Sequence, residues 1–281
     1  MTMAGQQREP RPYATSMKRS ERMLSILDML TSSGSLPLAA LSESLQVSPA
    51  TIRRDLAELE DQMLLRRTHG GARIIETEVE LPVRLKDTQF REAKRLIARK
   101  AAQLIPTGRH VVAFSGGTTT AEVARVLSTR HDFTIVTNSL TIATQVASRQ
   151  TLQLIMTGGV VRPHSFELVG VLAERSFSAI NIGTAVLGTD GMSAAGGATT
   201  YDETEARTNL AMVTQAERVI VVADGSKIGR VTLAPVASVE AITDLVTDSS
   251  ADAQELERIG ASGIRVHIAD EADSRSRTTR D

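Results

Sequence analysis

Residues 47–60, VSPATIRRDLAELE, constrain this chain more than any other stretch. Ser48 can cap a helix with its hydroxyl, and Pro49 suits the first helical position, where no backbone N–H bond is lost. Ile52, Leu56 and Leu59 then recur at helical spacing and form one apolar stripe. Thr51, Arg53 and Arg54 fall off that stripe, near the helix N-terminus. A short helix anchored on one side, with a hydroxyl and two guanidinium groups on the other, suits a DNA major groove. There Arg forks onto guanine O6 and N7, or holds a phosphate. A surface helix with two solvated arginines fits the same letters, so the flanking sequence decides.

Upstream, RSERMLSILDML places Met23, Ile26, Leu27 and Leu30 on one face of a helix that ends near Gly34. SLPLAALSESLQ supplies a second helix with Leu38, Leu41 and Leu45 inward, and Val47-Ser48 make a tight turn into the third. Three short helices so joined form a helix-turn-helix. Downstream, EDQMLLRRTHGGARII has strand-like apolar positions on both sides of Gly70-Gly71. It reads as a β-hairpin, a wing whose Arg66, Arg67, His69 and Arg73 reach the neighbouring groove. Two glycines beside a histidine are also compatible with a plain turn, but a plain turn has no need of three arginines around it.

The net charge of −1 argues against a nucleic-acid binder until it is divided along the chain. Through Ile75 there are ten Lys/Arg and eight Asp/Glu; the remainder carries 22 and 25. The first portion is thus weakly basic, and its arginines cluster, which governs phosphate contact more than the total does. A length of 281 residues and 41% hydrophobic content predict a small domain plus a larger one, each with a real core. The absence of cysteine excludes a disulfide scaffold, a thiolate metal site and a cysteine nucleophile. No run approaches a membrane span and no apolar stretch follows the first charges, so neither membrane insertion nor secretion is expected. With 2% aromatics, platforms for stacking bases or neutral sugars are improbable.

After residue 90 the pattern changes. REAKRLIARKAAQLIP reads as an amphipathic helix with Leu96, Ile97, Leu104 and Ile105 inward. Strands HVVAF, FTIVTNS, LQLIMTGG, IGTAVLGTDG, RVIVVADGSK and AITDLVTD then alternate with helices AEVARVLST, LTIATQVAS, ELVGVLAERSF and ETEARTNLAMVTQA. Alternation of this kind predicts an α/β domain with a mostly parallel sheet covered on both faces. Ligands in such sheets bind beyond the C-terminal ends of the strands.

Four polar loops end four of these strands: Ser115–Thr120, Thr137–Ser139, Thr157–Gly159 and Asp224–Lys227. In the first, Ser115, Gly116 and Gly117 let the backbone approach an anion while Thr118, Thr119 and Thr120 open a helix, a phosphate cradle. Asn138, Gly158 and Gly159 stand in the second and third loops. Lys227 supplies a cation and Arg162 a second one; Asp190, Glu205 and Asp224 can accept sugar hydroxyls. The five histidines show no metal-ligand spacing, so no metal is expected. No Walker A, GxGxxG or GxSxG sequence is present.

The run from VSPATIRRDLAELE to RRTHGGA resembles the DNA-binding signature of the DeoR family of bacterial transcription regulators. SGGTTT, TNS, TGG, GTDG and ADGSKIG match, in order, that family's second domain. The resemblance implies an N-terminal winged helix-turn-helix with a C-terminal α/β domain that is similar to ribose-5-phosphate isomerase and glucosamine-6-phosphate deaminase and senses a phosphorylated sugar. Two departures stand out. Met63 occupies the position where the family usually closes the recognition helix with glycine, and neutral Ser115 stands near the place of a frequent aspartate.

The expected organisation is a disordered segment over 1–17, the DNA-binding domain over 18–75, a linker over 76–90, the effector domain over 91–268 and a disordered tail over 269–281. The expected protein is a cytoplasmic repressor of a carbohydrate operon, without catalytic residues or cofactor. A phosphorylated sugar releases it from a double-stranded operator. Symmetric half-sites imply a homodimer or homotetramer. The rival reading is a sugar-phosphate isomerase or aminosugar-phosphate deaminase with a helical appendage, using Asp190 or Glu205 as base.

Overall fold

A computed structural model describes residues 19–75 and 80–270; the segments expected to be disordered lie outside them, apart from Ala269 and Asp270. The chain divides into two compact units, one reaching residue 79 and the other starting at Glu80.

The first unit contains α1 (Arg19–Ser33), β1 (Ser35–Pro37), α2 (Leu38–Ser44), α3 (Pro49–Asp61), β2 (Leu65–Thr68) and β3 (Gly71–Ile74). Its core holds most of the predicted stripe set, with Met23, Ile26, Leu30, Leu41, Ile52, Leu56 and Leu59 all at most 2% exposed, whereas Leu38 and Leu45, also expected inward, are half-buried. The strands form an antiparallel sheet of order β1-β3-β2. Strand β1 falls where the sequence reading began the second helix, and it covers the hairpin so closely that a Cβ on Gly71 would lie 2.0 Å from Leu36 O.

One feature of this unit escaped the sequence reading, and another bears on the Met63 departure noted above. Asp55, one residue past the arginines, is 1% exposed. Its Oδ2 accepts from Arg22 Nε and its Oδ1 from Arg22 Nη2 at 3.1 Å, clamping α3 to α1. Met63 closes α3 in the left-handed region, φ 57°. Its N–H reaches Glu60 O at 2.8 Å and that of Leu64 reaches Leu59 O at 2.9 Å, a Schellman ending made without glycine.

The second unit runs α4 (Val83–Lys86), α5 (Arg91–Leu104), β4 (His110–Phe114), α6 (Thr118–Leu127), β5 (Phe133–Thr137), α7 (Leu140–Val146), β6 (Gln153–Met156), β7 (Val160–Arg162) and β8 (Glu167–Val169). It continues with α8 (Val171–Ser178), β9 (Ile182–Gly188), β10 (Gly191–Ser193), β11 (Gly197–Thr200), α9 (Glu203–Thr214), β12 (Ala216–Val222), β13 (Ala234–Ala237), β14 (Asp244–Asp248), α10 (Ala253–Ala261) and β15 (Arg265–Ala269). Seven strands build a wholly parallel sheet of order β15-β14-β12-β9-β4-β5-β6. Alternate residues feed two cores. Val112, Phe114, Val186, Ile220 and Val222 pack beneath α5, α6 and α7. Ala113, Ala185, Leu187, Val219 and Val221 pack against Phe177, Met212 and Ile259 on the other face.

Three expectations need correction. ELVGVLAERSF is not one helix: Glu167–Val169 is a strand paired with Val160–Arg162, and Gly170, at φ 92°, separates it from α8. The connector expected over 76–90 is built into the second unit from Glu80 onward, with Val83 and Leu85 of α4 buried. Between Asp248 and the expected tail the sequence reading assigned no element, whereas α10 and β15 complete the domain, β15 running on to Ala269. Strand β15 also finishes an ion cluster on fully buried Asp244. Arg218 Nε lies 2.8 Å from Asp244 Oδ2, with Arg265 Nη2 at 3.0 Å from Oδ2 and His267 Nε2 at 2.8 Å from Oδ1. Burial alone would push this carboxyl up; the hydrogen bonds from Arg218, Arg265 and His267 overcome it and hold the group well below the carboxylate range.

Candidate functional site

In the first unit, the Ser48 hydroxyl accepts from Thr51 N–H at 3.2 Å and lies 3.0 Å from the Thr51 hydroxyl, so Ser48 acts as the cap of α3. Arg53 and Arg54 are exposed beside it, as expected of residues off the buried stripe. Arg66, Arg67, His69 and Arg73 are exposed on the hairpin. Arg67 is held by Glu60, whose Oε1 also accepts the Arg67 backbone N–H at 2.8 Å. Arg66 and Arg73 are directly opposed across β2 and β3. Like charges so placed repel across the pair, and an anion lying between them removes that cost.

In the second unit the chain leaves β4 in one direction through β5 and β6, then returns to β9 on the other side of β4. The loops after β4 and β9 therefore part at a topological switch point, where a cleft opens. Ser115 ties the two strand ends together: its Oγ accepts the Gly188 N–H at 2.9 Å. Above it lies a cavity lined by Gly116, Gly117, Thr118 and Thr119, with Asp190, Glu205, Asp224 and Lys227. The first N–H groups of α6 have no acceptor within their own helix, so they point their donors at whatever fills this space.

Not every expected residue reaches the cavity. Ser115 and Thr120 are buried beneath it, with Thr120 Oγ1 donating to Gly117 O at 2.9 Å. Gly158 and Gly159 do not line it; a Cβ on Gly159 would meet Val169 O at 2.8 Å, which makes this glycine a packing requirement of the β7–β8 hairpin. Asn138 acts from behind, its Nδ2 donating to Glu167 Oε2 at 2.9 Å. Arg162 is no free cation: it pairs with Glu80, with Asp202 at 3.2 Å and with Glu205 at 3.1 Å. Against its burial, those carboxylates hold its pKa above the ordinary arginine value. Asp224 caps its own turn, accepting Ser226 N–H at 3.2 Å.

Further walls come from the connector, with Glu80 and Lys86, from α5, with Lys94, and from the hairpin, with Ser165 and Glu167. Lys86 Nζ lies 2.7 Å from Asp190 Oδ1, and Lys227 Nζ lies 3.7 Å from the same oxygen. Burial pushes Asp190 up, but the two ammonium groups outweigh it and keep the carboxyl ionised. Burial costs Lys86 as well, and Asp190 more than offsets that cost, raising its pKa. Lys227 is pulled down by burial. Lys94, 4% exposed, donates to Lys86 O, and burial lowers its pKa to about 8. Apolar Val83 and Leu85 within the connector were the signal that this stretch is not a solvated linker.

A model of the DeoR C-terminal sensor domain matches residues 89–249, and one of the DeoR-like helix-turn-helix domain matches residues 22–78. The HTH-type transcriptional regulator GlpR of Haloferax volcanii is 38% identical over 252 residues, covering 89% of this chain and 98% of that one. The chain belongs to the DeoR family. It is a DNA-binding transcription regulator with the winged helix as its reader. The glycerol-3-phosphate regulon repressor of Escherichia coli is 32% identical to this family member, covering 83% of the chain and 92% of the repressor. Among solved structures, ribose 5-phosphate isomerase A of Methanocaldococcus jannaschii aligns over 51% of this chain and 55% of its own, at 14% identity and a TM-score of 0.36. Among the described residues no helix is long and apolar enough to cross a membrane, and no cluster of three or more His, Asp or Glu could hold a metal.

Proposed function

We propose that this DeoR-family regulator represses a carbohydrate operon and leaves its operator when a phosphorylated sugar occupies the cavity of the second unit. The observation that carries this reading is the meeting of the α6 N-terminus, Gly116–Thr119, with Lys86, Lys94 and Lys227 at one switch point. Helix N–H donors and ammonium groups favour a dianion, and charge-assisted bonds are about twice as strong as neutral ones. The E. coli relative named for a glycerol-3-phosphate regulon supports a phosphorylated effector. On the operator, Thr51, Arg53 and Arg54 face the bases while Arg66, Arg73 and His69 contact the backbone; Arg67 is positioned by Glu60. A homo-oligomer places two readers on a symmetric site.

An isomerase or deaminase is the less favoured reading. A general base needs a free lone pair toward its substrate. Asp190 is engaged by Lys86 and by Thr200 Oγ1 at 3.2 Å, and Glu205 by Arg162 and by Thr200 Oγ1 at 2.9 Å. The test is a mobility-shift titration on the promoter of the protein's own operon, with sugars paired with their phosphates. Release by a phosphate ester but not by its parent sugar is expected. Equal release by free sugars would refute the phosphate cradle, and turnover of a sugar phosphate to product would put the enzyme in place of the sensor.

A further inference from the structure

Among the carboxyls that line the cavity, Asp190, Glu205 and Glu80 each have a cation within 4.0 Å, and Asp224 is engaged as a cap. Glu167 differs. It is 2% exposed, and no ion pair reaches it among the described residues. Three neutral donors orient it instead: Asn138 Nδ2 at 2.9 Å and Asn209 Nδ2 at 3.3 Å on Oε2, and the backbone N–H of Gly116. The fit is tight, since a Cβ on Gly116 would lie 2.1 Å from Glu167 Oε1. Two residues earlier on the same hairpin, Ser165 Oγ is buried, lines the same cavity and has no hydrogen-bond partner among the described residues. Buried polar groups are almost always satisfied, so an orphan hydroxyl beside a carboxyl without a cation marks a place where a ligand completes the bonding.

We propose that Glu167 and Ser165 read the hydroxyl groups of the effector's sugar portion, making the β7–β8 hairpin the specificity-determining element of the cavity. The proposal rests on the sugar-phosphate reading of that cavity. The lysines and the α6 N-terminus take the phosphate, and the hairpin takes the carbon chain. A hydroxyl suits both residues because it donates and accepts. Burial, aided by the charge of Glu205, lifts Glu167 to about 8, so at neutral pH it is mainly the neutral acid. In that form, with Oε2 taken by the two asparagines, the O–H on Oε1 can donate to one sugar hydroxyl, and a second hydroxyl can reach Ser165. An ammonium, a donor only, would require the ionised carboxylate.

The test uses the full chain and calorimetric titration with inorganic phosphate, glycerol 3-phosphate, fructose 6-phosphate, glucose 6-phosphate and glucosamine 6-phosphate. If the unmodified protein binds none of the esters, the sugar-phosphate reading fails and this proposal goes with it. If it binds one, Glu167→Ala should weaken that ester at least tenfold, toward the level of inorganic phosphate, while inorganic phosphate stays within twofold. Ser165→Ala should weaken the ester about threefold. Affinity of the unmodified protein should change between pH 6.5 and 9, and Glu167→Gln, which keeps an acceptor for the asparagines, should flatten that profile. Unchanged ester affinity in Glu167→Ala overturns the proposal with the cavity reading intact. An equal loss for inorganic phosphate assigns Glu167 to the architecture of the site. A tenfold preference for glucosamine 6-phosphate over glucose 6-phosphate that disappears in both Glu167 variants shows that the carboxyl takes an ammonium.

Discussion

Replacing Asp55 by alanine tests whether the recognition helix is held by an ion pair as well as by its apolar stripe. Asp55 is 1% exposed and Arg22 9%, with two hydrogen bonds between them and Arg19 Nε 3.5 Å from Asp55 Oδ1. Removing one partner of a buried pair typically costs about 3–5 kcal/mol, because the other charge is left uncompensated. Arg22 keeps 9% of its surface exposed to water, which places the expected loss near the lower bound, at about 3 kcal/mol. A domain of this size is stabilised by roughly 3–8 kcal/mol in all. Asp55→Ala should therefore bring the first unit close to its unfolding midpoint at physiological temperature. Urea unfolding of the full chain, followed by circular dichroism, should show an early transition that the unmodified protein lacks, and operator affinity should fall with it. The double variant Arg22→Met/Asp55→Leu should restore most of the stability, since buried pairs are often replaceable by apolar residues of similar volume. A first-unit transition in Asp55→Ala within about 0.5 kcal/mol of the unmodified protein, the usual spread for inconsequential substitutions, would refute the clamp.

Met63→Gly should stabilise the first unit by about 0.5–1 kcal/mol: a left-handed residue with a Cβ costs about 1–2 kcal/mol, and glycine's extra freedom in the unfolded chain returns part of that. Chemical unfolding checks it, and a loss of stability would mean that Met63 is not strained. The double variant Arg66→Ala/Arg73→Ala should reduce the log–log salt slope of operator binding by about 1.8, at roughly 0.9 per phosphate, and an unchanged slope would remove the wing from the DNA. Glu167 predicts a pH effect on stability without ligand. Its carboxyl is raised from 4.5 to about 8 in the folded chain, so the native state keeps a proton that the unfolded state gives up. Its contribution is complete below the unfolded value and is lost as pH rises toward about 8. Melting curves between pH 5 and 8 should fall more steeply for the unmodified protein than for Glu167→Gln; parallel curves would show that Glu167 is not held as the acid.

The periodic parts of this chain were legible before any coordinates. Ile52, Leu56 and Leu59 sit 0–1% exposed, as their spacing required, and the alternation of HVVAF and RVIVV maps onto the two faces of the sheet. What stayed hidden was non-local. Arg22 and Asp55 are 33 residues apart, and no pattern in either segment announces their pair. Lys86 and Asp190 meet across 104 residues, so a lysine in an apparently charged connector gave no hint of a cavity wall. Glu167 was misplaced for a local reason: ELVGVLAERSF has helical spacing throughout, and only Gly170 records that the strand must turn before α8 begins. The three-stranded sheet of β10, β11 and β13 was missed because GMS and GATT are buried at almost every position, which leaves no alternation to detect.

The ion cluster on Asp244 bears on the order in which the chain is made. Strand β14 buries this carboxylate completely, yet two of its three hydrogen-bond partners, Arg265 and His267, arrive only with β15. The reader, whose core is complete by Ala72, emerges from the ribosome some 190 residues before that strand. At about 5–20 residues per second, roughly 10–40 s separate the two events. During that interval a nascent chain holds a finished winged helix attached to a sheet that lacks its edge, and a stop codon placed before Arg265 would make that condition permanent. Premature termination near the 3′ end of the gene would therefore leave a complete reader joined to a sheet that lacks the strand carrying two of the partners of Asp244.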